Sequence, residues 1–424
     1  MPTIAIHTLG CKVNQADSEK LRDKFLQNGY VEVPFNGPAD LYLINTCSVT
    51  NIAERKSRQF VAKAHKQNPE AQIVMAGCYV RLNREKVLGI PGVTGVIDDA
   101  GTVVSRKNTG TQEGKNSEFI IQNSEDAKIT SPLCQPQRLG GEGLGERSKQ
   151  RVRRFLILQT GCEQFCAYCI IPMARGKCWS KPLAEAIREA EKMIKEEGAK
   201  EIVLTGINLG TYQPSLAEAV RALCKLPSLL RMRLSSVEPQ YWTEELLKTI
   251  ETEPKVCKHF HIPLQSGSAN VLKNMQRPYS LEKYHELIAS IYERFPLAAV
   301  TTDVIVGFPG ETEADFAKCC EFIRQQNFAK VHIFKYSARS GTAAAKMPEQ
   351  INETTKQKRM DILQKIDSEL EQKYHDKFLG QKLEVLWESY ESKTGKLNGL
   401  TVNYLRVKTK GNKELVGKIT SIHL

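Results

Sequence analysis

The fold of this chain can be predicted from one stretch, residues 155–169: Phe155-Leu156-Ile157-Leu158-Gln159-Thr160-Gly161-Cys162-Glu163-Gln164-Phe165-Cys166-Ala167-Tyr168-Cys169. It begins with an apolar run that predicts a buried β-strand, and Gly161 bounds that strand. The three cysteines that follow have the spacing C-x3-C-x2-C. Three thiolates on one short loop can hold three irons of a [4Fe–4S] cluster, which leaves the fourth iron open to a small molecule.

The alternative for this loop is a structural zinc site. Structural zinc usually takes four ligands, often as paired C-x2-C sets, and no fourth ligand lies near Cys162, Cys166 and Cys169 at a suitable spacing. The sequence therefore favours the cluster. A strand followed by C-x3-C-x-aromatic-C resembles the radical S-adenosylmethionine (SAM) enzymes, and Tyr168 occupies the aromatic position.

Composition limits the class of protein and its compartment. The 424 residues are enough for two or three domains. No apolar run approaches the ~20 residues of a membrane span, and the N-terminus has no export signal, so we expect a cytoplasmic protein without membrane association. In a reducing compartment its 12 cysteines indicate metal binding or catalysis rather than disulfides. Nothing suggests a coiled coil, so a monomer is expected.

The net charge of +12 makes a polyanionic partner, RNA or DNA, plausible. A generally basic soluble enzyme would have the same composition, and composition alone does not separate the two.

Residues 1–100 alternate strand and helix signals, which predicts a small doubly wound α/β domain. The predicted strands are 4–7, 41–45 and 73–76, and the predicted helices are 18–28 and 52–67. Residues 101–150 are rich in polar residues and glycine, which predicts a flexible linker with one edge strand at 118–122.

Residues 151–376 contain six strand–helix repeats, which predict a partial (βα)6 barrel. The predicted strands are 155–159, 201–205, 231–235, 258–262, 300–306 and 330–336, and helices such as 182–197 and 281–294 form the outer layer. After a polar helix at 354–377, residues 377–424 show four short strands, which predict a small all-β barrel. These strands are 383–387, 399–402, 405–407 and 415–419.

Barrel enzymes place their chemistry at the carboxyl ends of the strands, and polar or glycine signals recur there in this chain. A turn with a helix N-cap would explain any one of them, but five in register behind a cysteine loop favour a ligand. The resemblance to radical SAM enzymes implies that SAM is this ligand, and at these strand ends and on the cysteine loop it implies contacts with Tyr168, Gly206, Asn208, Ser235, Glu238 and Gln265.

A second set of cysteines, Cys11, Cys47 and Cys78, follows the three predicted N-terminal strands. Parallel strands bring such loops to one edge of a sheet, so these thiolates could converge on a second [4Fe–4S] cluster with one open iron. Three structural cysteines in a core are the alternative. The remaining cysteines show no such placement, although Cys178 lies close to the cluster loop in sequence.

Over nearly its full length the chain resembles the radical SAM methylthiotransferases. The motifs that carry the resemblance are Thr8-Leu9-Gly10-Cys11-Lys12-Val13-Asn14-Gln15, Asn45-Thr46-Cys47-Ser48-Val49, Ala76-Gly77-Cys78, Gln159-Thr160-Gly161-Cys162, Cys166-Ala167-Tyr168-Cys169-Ile170-Ile171-Pro172, Ala174-Arg175-Gly176 and Thr302-Asp303-Val304-Ile305-Val306-Gly307-Phe308-Pro309-Gly310-Glu311-Thr312. The order of domains also matches: a cluster domain, a SAM barrel and an RNA-binding β-barrel called TRAM. Departures from the family pattern occur at Ile157, Thr160 and Cys178.

The resemblance implies a reaction. SAM would bind the open iron of the Cys162/Cys166/Cys169 cluster and yield a 5′-deoxyadenosyl radical, which removes hydrogen from C2 of an adenine. The cluster on Cys11, Cys47 and Cys78 would supply sulfur, methylated by a second SAM. All six cysteines are thus metal ligands and catalytic residues. An external electron donor such as flavodoxin or ferredoxin is implied as well.

Family members differ in substrate. The stretch 9–15 resembles the bacterial group that modifies N6-threonylcarbamoyladenosine (t6A) at position 37 of tRNA. Other members modify isopentenyladenosine at the same position, or an aspartate of a ribosomal protein.

An anticodon loop offers unpaired bases that proteins can splay out and stack. For substrate contacts we assign Arg339, Tyr404, Arg406 and Lys408, and further basic residues, Lys393, Lys396, Lys410 and Lys413, lie nearby in the sequence. A solvated charged surface is the alternative for any single lysine. The remaining rival is a non-catalytic RNA-binding protein whose clusters are structural.

Overall fold

The computed structural model describes residues 1–98, 103–105 and 152–423. These residues form two compact units. The first contains the N-terminal residues together with Met173–Gly176, and the second contains the other residues from 152 onward. The predicted edge strand at 118–122, and Cys134, lie outside the described residues.

The first unit is an alternation of strands and helices. In chain order its elements are β1 (Thr3–Thr8), α1 (Lys12–Gln27), β2 (Val31–Glu32), β3 (Leu41–Thr46), α2 (Asn51–Gln67), β4 (Gln72–Gly77), α3 (Cys78–Leu82), α4 (Arg84–Leu88), β5 (Gly95–Ile97) and β6 (Val103–Ser105).

These strands form one sheet in the order β2-β1-β3-β4-β5-β6, parallel except for the last pair. Strand β3 is buried along its whole length. Its residues alternate between two cores, with Tyr42 and Ile44 on one face and Leu41 and Leu43 on the other. Helices therefore cover both faces, as expected for a doubly wound sheet.

Helix α1 differs from its prediction. It begins at Lys12, directly after Cys11, rather than at residue 18. The first turns bury Val13 and Ala16 but also the polar Asn14, which is fully buried. A polar residue on the buried face breaks the apolar periodicity that predicts a helix, and for this reason the pattern placed the start too late.

The second unit begins with the barrel. Its strands are β7 (Arg153–Thr160), β8 (Trp179–Ser180), β9 (Glu201–Gly206), β10 (Arg231–Leu234), β11 (His259–His261), β12 (Ala299–Val306) and β13 (Lys330–Lys335). The helices between them are α5 (Ile171–Arg175), α6 (Leu183–Lys195), α7 (Leu216–Cys224), α8 (Glu244–Thr252), α9 (Ala269–Asn274), α10 (Leu281–Arg294) and α11 (Glu313–Gln325), followed by α12 (Ala343–Lys346) and α13 (Glu353–Asp376). Short 3-10 turns lie at Leu209–Thr211 and Pro239–Tyr241.

Six of these strands, all except β8, run parallel and confirm the partial (βα)6 barrel. Strands β7, β9 and β10 pair in one sheet, and β11, β12 and β13 in another. Single parallel bridges, such as Ser236 to His261, connect the two groups. The largest apolar core lies between the strands and their surrounding helices. Among the described helices, none has the length and apolar composition needed to cross a bilayer.

The C-terminal residues form an antiparallel sheet of four strands in the order β16-β15-β14-β17. These strands are β14 (Lys382–Glu391), β15 (Lys396–Thr401), β16 (Arg406–Lys410) and β17 (Ile419–His423). The strand predicted at 415–419 is wrong. Lys413–Leu415 is a 3-10 turn, and Gly417 at φ +83° interrupts extended backbone before β17 begins.

Buried arginines of the barrel hold this sheet. Arg233 pairs with Glu201 at 3.0 Å, and both side chains are almost fully buried. The Nη2 of Arg233 also donates to the carbonyl of Thr401 at 3.0 Å, while Nη1 of Arg231 donates to that of Leu400 at 2.9 Å. Burial raises the pKa of Glu201, but the Arg233 charge outweighs it and the net shift is downward. The barrel and the sheet therefore depend on one buried ionic network.

Replacing Arg233 with Met should destabilise the protein strongly, because Glu201 would be left as an uncompensated buried charge. We expect a loss of about 3–5 kcal/mol. Arg221 is the matched control, since it pairs with Glu245 at 2.7 Å on the surface, and Arg221→Met should cost at most about 1 kcal/mol. Urea unfolding followed by the fluorescence of the buried Trp242 and Trp387 measures both. Equal losses for the two variants would contradict the assigned role of the network.

Candidate active site

The cysteine loop of the second unit leaves the carboxyl end of β7. Gly161, at φ +76°, turns the chain out of the strand. The amide of Cys169 then donates to the carbonyl of Cys166 at 2.9 Å, which closes a tight turn between two of the three thiols. Ala167 ties the loop to the rest of the barrel, because its amide donates to Met275 and its carbonyl accepts from Ala344. The loop is thus fixed by backbone hydrogen bonds.

The thiols of this loop are desolvated but lie next to a cation. Burial raises the pKa of Cys169 to about 12 and also raises the pKa of Cys162. Arg277 brings Nη1 to 3.0 Å from the sulfur of Cys166, and its Nη2 pairs with Glu238. A metal cluster deprotonates the thiols that bind it, and the guanidinium offsets part of the resulting negative charge. Arg277 lies outside the motifs from which the site was predicted.

Of the residues predicted to contact SAM, Tyr168 lies on the cysteine loop, partly buried, and the others lie at or after the carboxyl ends of β9, β10 and β11. The side chain of Gln159 links this region to the loop: its Oε1 accepts from the amide of Asn208 at 2.8 Å, and its Nε2 donates to the carbonyl of Gly161 at 2.8 Å. Gly206 packs directly on Gln159, since an added Cβ would lie 3.1 Å from the side chain of Gln159. The glycine therefore permits this close approach.

Two atoms of this region are buried without a partner, Oδ1 of Asn208 and Oγ of Ser235. Buried polar atoms are usually hydrogen-bonded, so these positions fit a ligand that brings donors, as the amino and ribose groups of SAM do. Gln265 adopts φ +64° and bridges by its backbone to Asp303 and Ile305. Glu238, also predicted as a SAM contact, pairs with Arg277.

The second cysteine set lies in the first unit. Cys11, Cys47 and Cys78 follow β1, β3 and β4, three neighbouring parallel strands. Cys11 is exposed at the surface, and the other two are buried. The structure brings them together around one side chain, Asn14, whose Oδ1 lies 3.9 Å from the sulfur of Cys11 and 3.8 Å from that of Cys78.

Asn14 is held firmly. Its Nδ2 donates to the carbonyls of Leu9 and Thr46 at 2.9 and 2.8 Å, which ties the ends of β1 and β3 together. Cys47 packs beside it against Gly10, where an added Cβ would lie 2.8 Å from Cys47 Cβ and 3.0 Å from Asn14 Nδ2. Three thiols on one edge fit the donor set of an iron–sulfur cluster.

Arg175 completes the first-unit site. Its Nη2 donates to Oδ1 of Asn14 and to Oδ2 of Asp17, both at 2.8 Å, and its Nε lies 3.4 Å from the sulfur of Cys78. Its side chain is buried. The Ala174-Arg175-Gly176 motif pointed to this residue without indicating what it does. The cation lies where a cluster on these thiols would need charge compensation.

The other cysteines are placed differently. Cys224, Cys257, Cys319 and Cys320 are buried, as expected for structural cysteines. Cys178 lies in the neighbourhood of the cluster loop, because its amide donates to Glu163 at 3.1 Å.

The predicted substrate contacts fall into two groups. Arg406 and Lys408 are exposed on β16, and Lys408 pairs with Glu391 at 3.0 Å. Arg339, the predicted contact that precedes α12, is buried. The ring of Tyr404 stacks on His259, with centroids 3.9 Å apart, and Arg233 lies over it. Tyr404 thus packs the C-terminal sheet onto the barrel.

Two family models match the chain. Residues 3–98 match "Uncharacterized protein family UPF0004", and residues 156–323 match "Radical SAM superfamily". Among solved structures, a radical SAM methyltransferase, TsrM, from Kitasatospora setae aligns with a TM-score of 0.54 at 12% identity, covering 79% of this chain and 73% of that chain. The fold and the cysteine loop together define a radical SAM protein.

Curated relatives cover nearly the whole length. The chain is 36% identical over 437 residues to "Threonylcarbamoyladenosine tRNA methylthiotransferase MtaB" of Bacillus subtilis, covering 100% of this chain and 94% of the relative. It is 36% identical over 431 residues to the protein of the same name in Aquifex aeolicus, covering 99% of each. A "tRNA-2-methylthio-N(6)-dimethylallyladenosine synthase" of Acetivibrio thermocellus is 32% identical over 434 residues, covering 99% of this chain and 88% of the relative. The chain belongs to the radical SAM tRNA methylthiotransferase family.

Gly77 determines how Cys78 enters the first-unit site. It adopts φ +92°, and an added Cβ would lie 2.2 Å from Oδ1 of Asn45 and 2.4 Å from the carbonyl of Thr46. With ψ at −166°, Gly77 lies in a backbone region that is essentially restricted to glycine, so Gly77→Ala should lower the free energy of unfolding by ~1–3 kcal/mol for the backbone and by a further ~1–3 kcal/mol for the overlap.

Gly29 supplies the control for this prediction. It also has a positive φ, +84°, but an added Cβ there would meet nothing within 4 Å. Thermal unfolding of the two variants therefore isolates the effect of crowding. If Gly29→Ala destabilised the protein as much as Gly77→Ala, the tight packing at Gly77 would not be the cause.

Proposed function

We propose that this enzyme methylthiolates C2 of N6-threonylcarbamoyladenosine at position 37 of tRNA, using two [4Fe–4S] clusters and SAM. The observation that carries the proposal is the gathering of Cys11, Cys47 and Cys78 around Asn14, in addition to the radical SAM loop. A second three-thiol site is what sulfur insertion requires beyond radical generation. The t6A substrate is supported by the names of the relatives at 36% identity and by residues 9–15.

In this proposal each cysteine set would hold one cluster. When bound, the two clusters and SAM supply the radical that activates C2, the sulfur and the methyl group. The protein itself binds SAM and the clusters and orients them. The unpartnered oxygens of Asn208 and Ser235 would accept hydrogen bonds from SAM, and Gln159 fixes the distance between Asn208 and the loop. Such positioning is the main contribution of a protein to cofactor chemistry.

The tRNA would meet a basic protein of net charge +12. On the C-terminal sheet, which corresponds to the proposed TRAM domain at 377–424, Arg406 and Lys408 are exposed and can contact phosphates. In this proposal residues 1–100 form the cluster domain, 101–150 the linker and 151–376 the radical SAM domain. The enzyme would act in the cytoplasm and as a monomer, with an external one-electron donor such as flavodoxin or ferredoxin.

Iron counting tests the two clusters. Protein reconstituted anaerobically should hold about eight irons per chain, two clusters of the four-iron type. The triple variants Cys11/Cys47/Cys78→Ala and Cys162/Cys166/Cys169→Ala should each lose about four. Cys224→Ala, at a core cysteine, should lose none. If one triple variant kept full iron content, its cysteines would not hold a cluster.

Mass spectrometry of nucleosides tests the reaction. A tRNA carrying t6A37, incubated with reconstituted enzyme, SAM and a reductant, should yield the 2-methylthio nucleoside. Cys162→Ala and Cys11→Ala should each abolish the product, whereas Cys224→Ala should retain it.

The outcomes separate the alternatives. SAM cleavage without a modified nucleoside would move the substrate to isopentenyladenosine-37 or to a ribosomal-protein aspartate. Iron-loaded protein that does not cleave SAM would indicate structural clusters in an RNA-binding protein.

A further inference from the structure

A group of potential metal ligands without any cysteine lies on three neighbouring barrel strands. His261 is on β11, Asp303 on β12 and His332 on β13, and one ligand atom from each lies within 4.8 Å of the others. Asp303 and His332 are register partners across β12 and β13. The adjacent residues in the sequence, Val304 and Val331, belong to the apolar core between the strands and their surrounding helices. Because successive residues of a strand face opposite sides, the ligands face the barrel interior.

Both nitrogens of His261 are held in place. Its Nδ1 lies 2.8 Å from Oγ1 of Thr301, and its Nε2 lies 3.3 Å from Oδ2 of Asp303. A hydrogen bond at the second ring nitrogen, which fixes the orientation of the ring, is typical of histidines that bind metals. A separation of 3.3 Å is also close to that between two ligand atoms of a tetrahedral site with metal–ligand bonds of ~2.0–2.1 Å.

If Nδ1 of His261 donates to Thr301, the lone pair of Nε2 lies on the side of Asp303 and His332, where an ion would be within reach of all three groups. The ring of His332 makes no hydrogen bond with any of the described residues.

A cavity of about 170 Å³ reaches this group. Thr301 and His332 line it, together with residues of α13 and of the C-terminal sheet. The cavity has room for water and gives an ion a path to His332, the member of the group that lines it. A metal ion with three protein ligands takes water as its fourth ligand, and the cavity can supply that water.

We propose that His261, Asp303 and His332 bind one divalent transition-metal ion, best matched by Zn²⁺, with water as the fourth ligand. Two imidazoles and one carboxylate are a ligand set that zinc commonly takes. The ion would join β11, β12 and β13 inside the barrel. This site does not depend on the proposed reaction, and its test does not use methylthiolation.

The test uses full-length protein with its clusters reconstituted anaerobically, so that iron occupies the cluster cysteines. After dialysis against micromolar Zn²⁺, we expect about one zinc per chain by elemental analysis. X-ray absorption at the zinc edge should show only nitrogen and oxygen neighbours, at ~2.0–2.1 Å. His332→Ala and His332→Gln should each weaken zinc binding at least tenfold, the second while conserving side-chain volume.

His375 is the matched control, because it lines the same cavity from α13 but is not part of the ligand group. His375→Ala should bind zinc as wild type does. Zinc should also raise the Tm of wild type and of His375→Ala, since a ligand of the folded state stabilises it, and should not raise that of the His332 variants.

Three results would overturn the proposal: no zinc bound to wild type, equal binding by wild type and both His332 variants, or sulfur neighbours at ~2.3 Å. Any of them would leave the group as a hydrogen-bonded network of the barrel interior.

Discussion

The parallel arrangement of the strands is the constraint on which the first-unit cysteine site and the row of polar strand ends in the barrel depend. Neighbouring parallel strands satisfy one another's backbone hydrogen bonds and release their chains at one edge. In the first unit this puts the residues after β1, β3 and β4 side by side, so three cysteines far apart in sequence meet around Asn14. In the second unit one strand end suffices, because its loop carries all three cysteines itself. The topology of the sheet therefore brings the first-unit cysteines together, whereas the spacing along a single loop brings the second-unit cysteines together.

The polar interior of the barrel follows from the way its strands are covered. Arg231 and Arg233 would be costly to bury in an apolar core, but the carbonyls of the C-terminal sheet accept from both of them, and Glu201 compensates the charge of Arg233. Tyr404 covers His259 in the same region. The C-terminal sheet is therefore part of the structural support of the barrel as well as the proposed surface for RNA.

Much of this architecture could be predicted from the sequence, because strands and cysteine spacings are local signals. Hydrophobic periodicity was enough to predict the barrel strands. Together with the rule that parallel strands end at the same edge of a sheet, it also predicted the shared edge of Cys11, Cys47 and Cys78. What could not be predicted depends on contacts between distant residues. In the sequence, Asn14 is only a polar residue within a helix, and its position among thiols depends on how the strands of the sheet are arranged. The stacking of Tyr404 on His259 likewise joins residues 145 positions apart.

Arg175 and Arg277 show what spacing does not reveal about the cysteine sites. Each guanidinium touches one cysteine sulfur and one carboxylate: Arg175 lies between Cys78 and Asp17, and Arg277 between Cys166 and Glu238. The carboxylate fixes the planar group, so that a second N–H is directed at the sulfur. A lysine ammonium lacks this fixed geometry. Thiols that bind a metal are deprotonated, and a cation held beside each set compensates part of that negative charge without adding uncompensated charge, since its carboxylate partner is already present.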